Sequence, residues 1–284
     1  MDIPNIELDR IVDNALAEDL GWGDITTDAF VPPQIKGKGS FLIKAKGVLA
    51  GIEVSQRVFH RVDRSLVLKI LIPDGNHIDK GMVVGTIDGP LNSILKAERT
   101  ALNFLQRMSG IATATSQLVE AVSGLPVKIM DTRKTVPGLR MLDKYAVHLG
   151  GGKNHRFHLG DGILVKDNHW EALKVSGETL AQAIQRVKAR ASIFLRVEVE
   201  VKNMAEALEA VAAGAEILLL DNMTPEQMRQ VVQKVKGKVL TEASGNVNLQ
   251  NVRVVAESGV DFISSGALTH SVKSLDISLE VGMG

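Results

Sequence analysis

Apolar positions recur along this chain with two different periods, and the places where the period changes divide it. Ile6, Leu8, Ile11, Val12, Ala15 and Leu16 fall at helical spacing and stop at Gly21-Trp22-Gly23, which predicts a first helix of about three turns. From Gly39 to Gly89 the pattern becomes short β-like runs (SFLIKA, SLVLKILI, GMVVGTID) broken by glycine-rich or Pro-Asp-Gly turns. One helical insert lies near Glu53 to Val62, so the segment reads as a small α+β unit. Leu91 to Ser123 is again helical, rich in Ala and Leu with glycine only at Gly110, and bridges to the C-terminal half.

The C-terminal half repeats one grammar. Six short apolar strands can be read: VKIMDTR (127–133), ILVKDN (163–168), FLRVEVEV (194–201), AEILLLDN (215–222), VLTEASG (239–245) and VDFISSG (260–266). Helical stretches separate the last four, and TPEQMRQVVQKVKG opens with Thr224 as N-cap, Pro225 at the first helical position and Gln227 in the capping-box place. Alternating strands and helices predict a parallel sheet, with a closed or nearly closed barrel as its simplest form and a doubly wound open sheet as the alternative. Each apolar run gives out at polar residues: Asp131-Thr132-Arg133, Lys166-Asp167, Glu200, Asp221-Asn222, Glu242 with Ser244, and Ser264-Ser265-Gly266. Parallel α/β folds work at the carboxyl ends of their strands, so these residues are expected to converge in one mouth.

Composition narrows what that mouth serves. The 284 residues make one large domain or two modest ones. Thirty-three Lys and Arg balance thirty-three Asp and Glu, so no global basic field exists to hold nucleic acid or an anionic membrane. Aromatics at 4% leave few stacking platforms for single strands. The absence of cysteine excludes disulfides, thiolate nucleophiles and cysteine-ligated metal, and fits a reducing cytosol. The N-terminal stretch is acidic and amphipathic, unlike a targeting signal, and no apolar run approaches the ~18 residues of a membrane span.

One stretch departs from this balance. Residues 131–169 hold seven cations (Arg133, Lys134, Arg140, Lys144, Lys153, Arg156, Lys166) against four aspartates, with four of the seven histidines and the run Gly150-Gly151-Gly152. A neutral protein that gathers cations and glycines at strand ends is building a pocket for a small polyanion. His155, His158 and Asp161 have the spacing of metal ligands on a helix, but the flanking glycines argue against a helix there. Glu200 and Asp221 are expected at neighbouring strand ends, where two carboxylates can hold Mg²⁺, act as an acid/base pair or bind ribose hydroxyls. Glu198, deeper on the same strand, reads as a buried carboxylate paired to a lysine. EASGN (242–246) and SSGALTHS (264–271) resemble the paired phosphate loops of barrels.

Taken with ERTALNFLQRMSGIATAT (98–115), DTRKTVPGLR (131–140), GGGKNHRFHLGDGILVKDNH (150–169), EVEV (198–201), LLLDN (218–222), EASGNV (242–247) and GALTHS (266–271), the sequence resembles the quinolinate phosphoribosyltransferase family over its whole length. The resemblance implies an α/β chain with a small N-terminal α/β sandwich (1–110), an incomplete parallel α/β barrel carrying the active site (111–270) and a tail (271–284) returning to the sandwich. It also implies a homodimer or higher even oligomer with shared sites. The implied reaction moves a 5-phosphoribosyl group from phosphoribosyl pyrophosphate to the nitrogen of quinolinate, with loss of CO₂ and pyrophosphate. By that resemblance Arg133, His155, Arg156 and Lys166 cradle the quinolinate carboxylates, with Lys134 and Thr132 at the same strand end and Arg99 entering from the partner subunit. Lys134, Lys166, Glu200 and Asp221 are the implied catalytic residues, and Glu200 and Asp221 the implied holders of Mg²⁺ and the ribose. Ser244, Gly245 and Asn246, with Gly266, Ala267 and Leu268, are the implied 5-phosphate site, although Asn246 and Ser265 depart from the family's usual residues. A relative using nicotinate, a fold relative associated with molybdate uptake, and a non-enzymatic phosphosugar-binding barrel are the rival classes.

Overall fold

Residues 3–283 are described in the computed structural model, and the chain divides into two units. The first takes the stretch up to Ser116, residues Thr135–Gly151 and the segment from Leu268 onward. It holds α1 (Asn5–Leu20), α2 (Ile25–Phe30), β1 (Lys36–Ile43), β2 (Gly47–Val48), α3 (Ile52–Val62), β3 (Val67–Ile70), β4 (His77–Ile78) and β5 (Val83–Pro90). Also here are α4 (Leu91–Ala121) as far as Ser116, α5 (Arg140–Leu149) and β12 (Ile277–Met283). Four strands form an antiparallel sheet in the order β12-β1-β5-β3, with β2 and β4 as a separate pair. The final strand closes back on the first, Gly37 opposite Met283 and Ile43 opposite Ile277.

Helix α3 packs its apolar stripe, Ile52, Val54, Val58 and Phe59, into this unit's core, where Phe59 meets Phe41 of β1 edge-on at 6.1 Å. Its N-terminus is held from a distance: the Asp74 carboxylate accepts the Gly51 and Ile52 N–H groups at 2.9 and 3.0 Å. A bidentate pair fixes α5, because Arg107 grips the fully buried Asp143 at 2.9 and 2.8 Å.

The second unit takes Gln117–Lys134 and Gly152–Ala267. In chain order it comprises β6 (Lys128–Met130), β7 (Ile163–Val165), α6 (Asp167–Ser176), α7 (Leu180–Lys188), β8 (Val197–Val201), α8 (Met204–Ala212), β9 (Ile217–Asp221), α9 (Pro225–Val235), β10 (Leu240–Ser244), α10 (Val252–Ala256) and β11 (Phe262–Ser264). A short α11 (Ala267–His270) follows at the boundary. Six parallel strands run in the order β6-β11-β10-β9-β8-β7. Sequence neighbours are spatial neighbours and the first strand lies beside the last, which is the order of a rolled barrel with its seam between β6 and β7. A doubly wound sheet would reverse direction partway. The segment after Gly152 crosses to this seam, where Lys153 bridges Met130.

The repeated helices start as their sequences dictate. Thr224 accepts the Gln227 N–H while the Gln227 side chain accepts the Thr224 N–H, and Thr179 with Gln182 repeats the device at α7. Strand β8, VEVEV, buries Val197, Val199 and Val201 on one side and sends Glu198 and Glu200 to the other.

Candidate active site

Parallel register brings the strand ends level. Ser244 lies opposite Asp221 and Ser264, Ser264 lies opposite Met130, and Glu200 sits one residue before the end of β8. A cavity of about 250 Å³ opens there, lined by Thr132, Arg133, Lys134, His155, Arg156, Lys166, Glu200, Asp221 and Ser244 among others. A larger cavity of about 1040 Å³ beside α1 and α3 in the first unit contains none of these residues.

The cationic wall is tied to the sheet by Asp131. This buried residue at the end of β6 accepts the His155 N–H at 2.8 Å and the Asn154 Nδ2 group at 2.7 Å, clamping the seam segment. Arg156 follows directly, its Nη1 donating to the Gly162 carbonyl at 2.8 Å. Burial lowers the Arg156 pKa, and the neighbouring Arg133 guanidinium pushes it further down. Arg133 Nε is itself buried without a protein acceptor. Two adjacent guanidiniums, one with an unsatisfied buried donor, form a site whose missing partner is an anion. Lys166 stands at the end of β7, its backbone N–H donating to His169 Nδ1 at 2.9 Å, and Lys134 N–H donates to the Thr132 hydroxyl at 3.0 Å.

Glu200 and Asp221 supply the acidic half. Partial burial raises the Glu200 pKa, and the charges of Asp221 and Asp167 raise it further against the opposing pull of Lys166 and Lys202. Carboxylates that repel one another at a half-open rim suit a hard divalent ion, which needs only one or two of them when phosphate oxygens complete its shell. Asp167 is held aside by an ion pair to Lys202 at 2.9 Å.

The phosphate-loop candidates fold tightly around Asn222. Asn222 and Asn246 both adopt left-handed backbone, each at φ 51°. The Asn222 N–H donates to the Ser244 carbonyl, and Asn246 Nδ2 donates to Asn222 Oδ1. Gly245, at φ +104°, packs so close that a Cβ would overlap Asn222 Oδ1. Leu268 is buried and Ala267 exposed at the start of α11, while Gly266 ends the β11 loop.

Nine of the expected residues therefore line one cavity. Gly245 and Asn246 adjoin it through Ser244, whereas Arg99 lies exposed on α4 in the first unit and does not line it. The His155–Asp161 segment is not helical. Among the described residues, the three metal-capable groups that meet are His155, Glu198 and Glu242. Glu198 is buried as expected, but its partner is His155 rather than a lysine, because the seam segment, not a neighbouring strand, packs over it. Asp131 and Asn222, legible in the sequence only as polar strand ends, and Asn154, within the glycine-flanked run that ends in His155-Arg156, act as clamps, a role that needs the folded contacts to be seen.

Fold and site together define an α/β-barrel enzyme for anionic substrates, with a cationic cradle and a carboxylate pair at adjacent strand ends. The quinolinate phosphoribosyl transferase C-terminal domain matches residues 111–280 and the N-terminal domain of the same family matches 24–109; the chain belongs to the quinolinate phosphoribosyltransferase family. It is 40% identical over 296 residues to the chloroplastic carboxylating nicotinate-nucleotide pyrophosphorylase of Oryza sativa subsp. japonica, covering 98% of this chain and 78% of that one. It is 38% identical to the probable carboxylating nicotinate-nucleotide pyrophosphorylase of Bacillus subtilis (strain 168), covering 98% and 94%. NadC from Streptococcus pyogenes superposes with a TM-score of 0.93 at 41% identity over 100% of this chain and 99% of that one. Among the described residues no helix is long and apolar enough to cross a membrane.

Proposed function

We propose that this chain transfers the 5-phosphoribosyl group of phosphoribosyl pyrophosphate to the ring nitrogen of quinolinate and releases pyrophosphate, CO₂ and nicotinate mononucleotide. The reading is carried by two adjacent guanidiniums, Arg156 and Arg133, the latter with a buried Nε that lacks an acceptor, sharing one small cavity with Glu200 and Asp221. Quinolinate is a dianion and its co-substrate carries still more charge, so mutual repulsion in a dry site needs a cationic wall to offset it.

The pyridine nitrogen is already a nucleophile, which is why the site needs no serine or cysteine. Arg133, Arg156 and Lys166 hold the two carboxylates so that the nitrogen lone pair faces the ribose C1 carbon. As the new C–N bond forms, the C1–oxygen bond breaks and its electron pair leaves with pyrophosphate. Glu200 and Asp221 bind the ribose hydroxyls and stabilise the positive charge that develops on the sugar. The same two carboxylates would hold Mg²⁺, which when bound would supply charge neutralisation of the pyrophosphate. With the ring nitrogen now quaternary, the bond from C2 to its carboxylate breaks, CO₂ departs, and a proton takes its place on C2. The strand-end loop Ser244-Gly245-Asn246 and the segment Gly266-Ala267-Leu268 receive the 5-phosphate on backbone N–H groups. We assign Arg99 to the partner's site across a two-fold homodimer interface, on its exposed position and the family resemblance.

Incubation with quinolinate, phosphoribosyl pyrophosphate and Mg²⁺ is expected to yield nicotinate mononucleotide and CO₂ in equal amounts. Nicotinate, with one carboxylate, is expected to react far more slowly, and excess chelator to stop turnover. Equal use of nicotinate, or full activity in chelator, overturns the reading.

A further inference from the structure

Behind the cationic wall three side chains from three elements meet away from solvent: His155 of the seam segment, Glu198 of β8 and Glu242 of β10. His155 Nε2 lies 3.1 Å from Glu198 Oε2 and 3.6 Å from Glu242 Oε2. The two glutamates are 6% and 2% exposed. On the other side of the ring, Nδ1 accepts the backbone N–H of Arg156 at 2.8 Å. With Nδ1 an acceptor, the ring proton sits on Nε2 and is donated to Glu198.

We propose that Glu198 and Glu242 are positioning residues for the quinolinate cradle: they lock the tautomer and orientation of His155 and, through its Nδ1, the backbone from which Arg156 reaches the substrate. The proposal rests on the quinolinate reading above for its substrate, though not for its geometry. A buried hydrogen-bonded carboxylate fixing an imidazole is a general way to orient a ring whose other nitrogen has work to do.

The role of the second glutamate comes from the first. Glu198 Oε1 and Glu242 Oε1 are both buried without a donor from the surrounding protein. Two carboxylates sharing one dry pocket are unfavourable unless one carries a proton. Burial raises the Glu242 pKa well above the usual range, and the charge of Glu198 raises it further, overcoming the hydrogen bond from Ser264 that favours ionisation. A protonated Glu242 gives its O–H to Glu198 and accepts from Ser264, and the orphaned acceptors gain the donor they lack. The chain Ser264, Glu242, Glu198, His155, Arg156 then runs from the last strand of the barrel to the cradle, with each donor facing an acceptor.

A divalent ion among the three side chains is the competing account of the same geometry, and the experiment separates them. Glu242→Ala is expected to raise KM for quinolinate by about tenfold while KM for phosphoribosyl pyrophosphate moves less than about twofold. Glu242→Gln, which keeps a donor toward Glu198 and an acceptor toward Ser264 without charge, is expected to rescue most of that loss. Glu198→Ala is expected to show the same split between substrates. ¹⁵N spectra of the unliganded wild-type protein, with the His155 signals assigned through their absence in His155→Gln, are expected to show the Nε2-protonated tautomer. Because that spectrum needs no glutamate variant to fold, it tests the arrangement by itself, and because it needs no substrate, it stands apart from a failure of the quinolinate assay. An Nδ1-protonated or doubly protonated ring overturns the proposal. So does Glu242→Gln being as damaging as Glu242→Ala, or a divalent ion bound stoichiometrically to the purified protein and lost in Glu242→Gln.

Discussion

Arg133 and Arg156 show how single residues declare a ligand. A guanidinium held beside another, with a buried Nε lacking an acceptor, is unfavourable for the protein alone, and an incoming carboxylate relieves both defects. Arg133→Ala and Arg156→Ala are each expected to lower kcat/KM by about 10²–10³, since each removes a charge-assisted contact from a poorly hydrated site. Melting temperatures should stay close to wild type, because neither guanidinium closes an ion pair with an aspartate or glutamate among the described residues. Steady-state kinetics beside a thermal melt checks both halves, and a variant with normal kinetics would return that arginine to the solvated surface. Gly245 makes the opposite kind of statement, one about backbone. Its positive φ and its closeness to Asn222 leave no room for a side chain. Gly245→Ala is therefore expected to raise KM for phosphoribosyl pyrophosphate by about tenfold or more, by displacing the turn that receives the phosphate, with a smaller change in KM for quinolinate.

Elements differ in how much of them the chain announces. The barrel strands are legible because each apolar run ends in a polar residue and helices such as α8, at Asn203, and α9, at Thr224-Pro225-Gln227, open with their own caps, so the strands and the ring of site residues emerge from local sequence, while the choice between a rolled and a doubly wound sheet does not. Features that depend on register or distant contact are not. Glu198 and Glu242 lie 44 residues apart in the numbering, on strands separated by β9, and the pairing register sets Glu242 level with Glu200 rather than Glu198, so that only the folded sheet, with His155 laid across it, brings the two carboxyls together. In the same way β12 pairs with β1 across nearly the whole chain, and Asp74 caps α3 from over twenty residues away. That cap carries a pH signature. Burial lifts the Asp74 pKa from 3.8 to about 6, outweighing the backbone N–H bonds of Ile52, Gly51 and Glu53 that favour the carboxylate, and the Glu53 charge adds to the rise. A carboxyl with a raised folded-state pKa binds its proton more tightly in the fold than in the unfolded chain. Its contribution is therefore greatest below about pH 3.8, declines as pH rises toward 6, and is constant above. Urea unfolding of the wild type against Asp74→Asn at a series of pH values should show the wild type losing up to about 3 kcal/mol relative to the variant between pH 4 and 7. A relative gain for the wild type over that range would show that the helix N-terminus, not burial, sets the state of Asp74.

At the scale of the whole molecule, the cradle described on one chain holds Arg133, Arg156 and Lys166, while Arg99 lies exposed on α4 in the other unit. An exposed arginine on a helix of 31 residues is the element that a two-fold assembly would deliver to a neighbour's dianion. Every site in such an assembly draws Arg99 from one subunit and Lys166, with Arg133 and Arg156, from the other. Arg99→Ala and Lys166→Ala homodimers should each be nearly inactive, since every site in each carries a lesion. Mixed under conditions that allow subunit exchange, the two inactive proteins form a heterodimer in which one site carries both lesions and the other carries neither. Activity should then return, approaching one working site per mixed dimer, or about a quarter of wild-type activity per subunit when random exchange makes half of the dimers mixed. Native mass spectrometry of differently tagged subunits confirms the exchange independently of activity. Exchange without recovery would mean that Arg99 serves its own chain or no site at all, whereas recovery that tracks the mixed fraction across several mixing ratios would fix both the composite site and the two-fold symmetry that builds it.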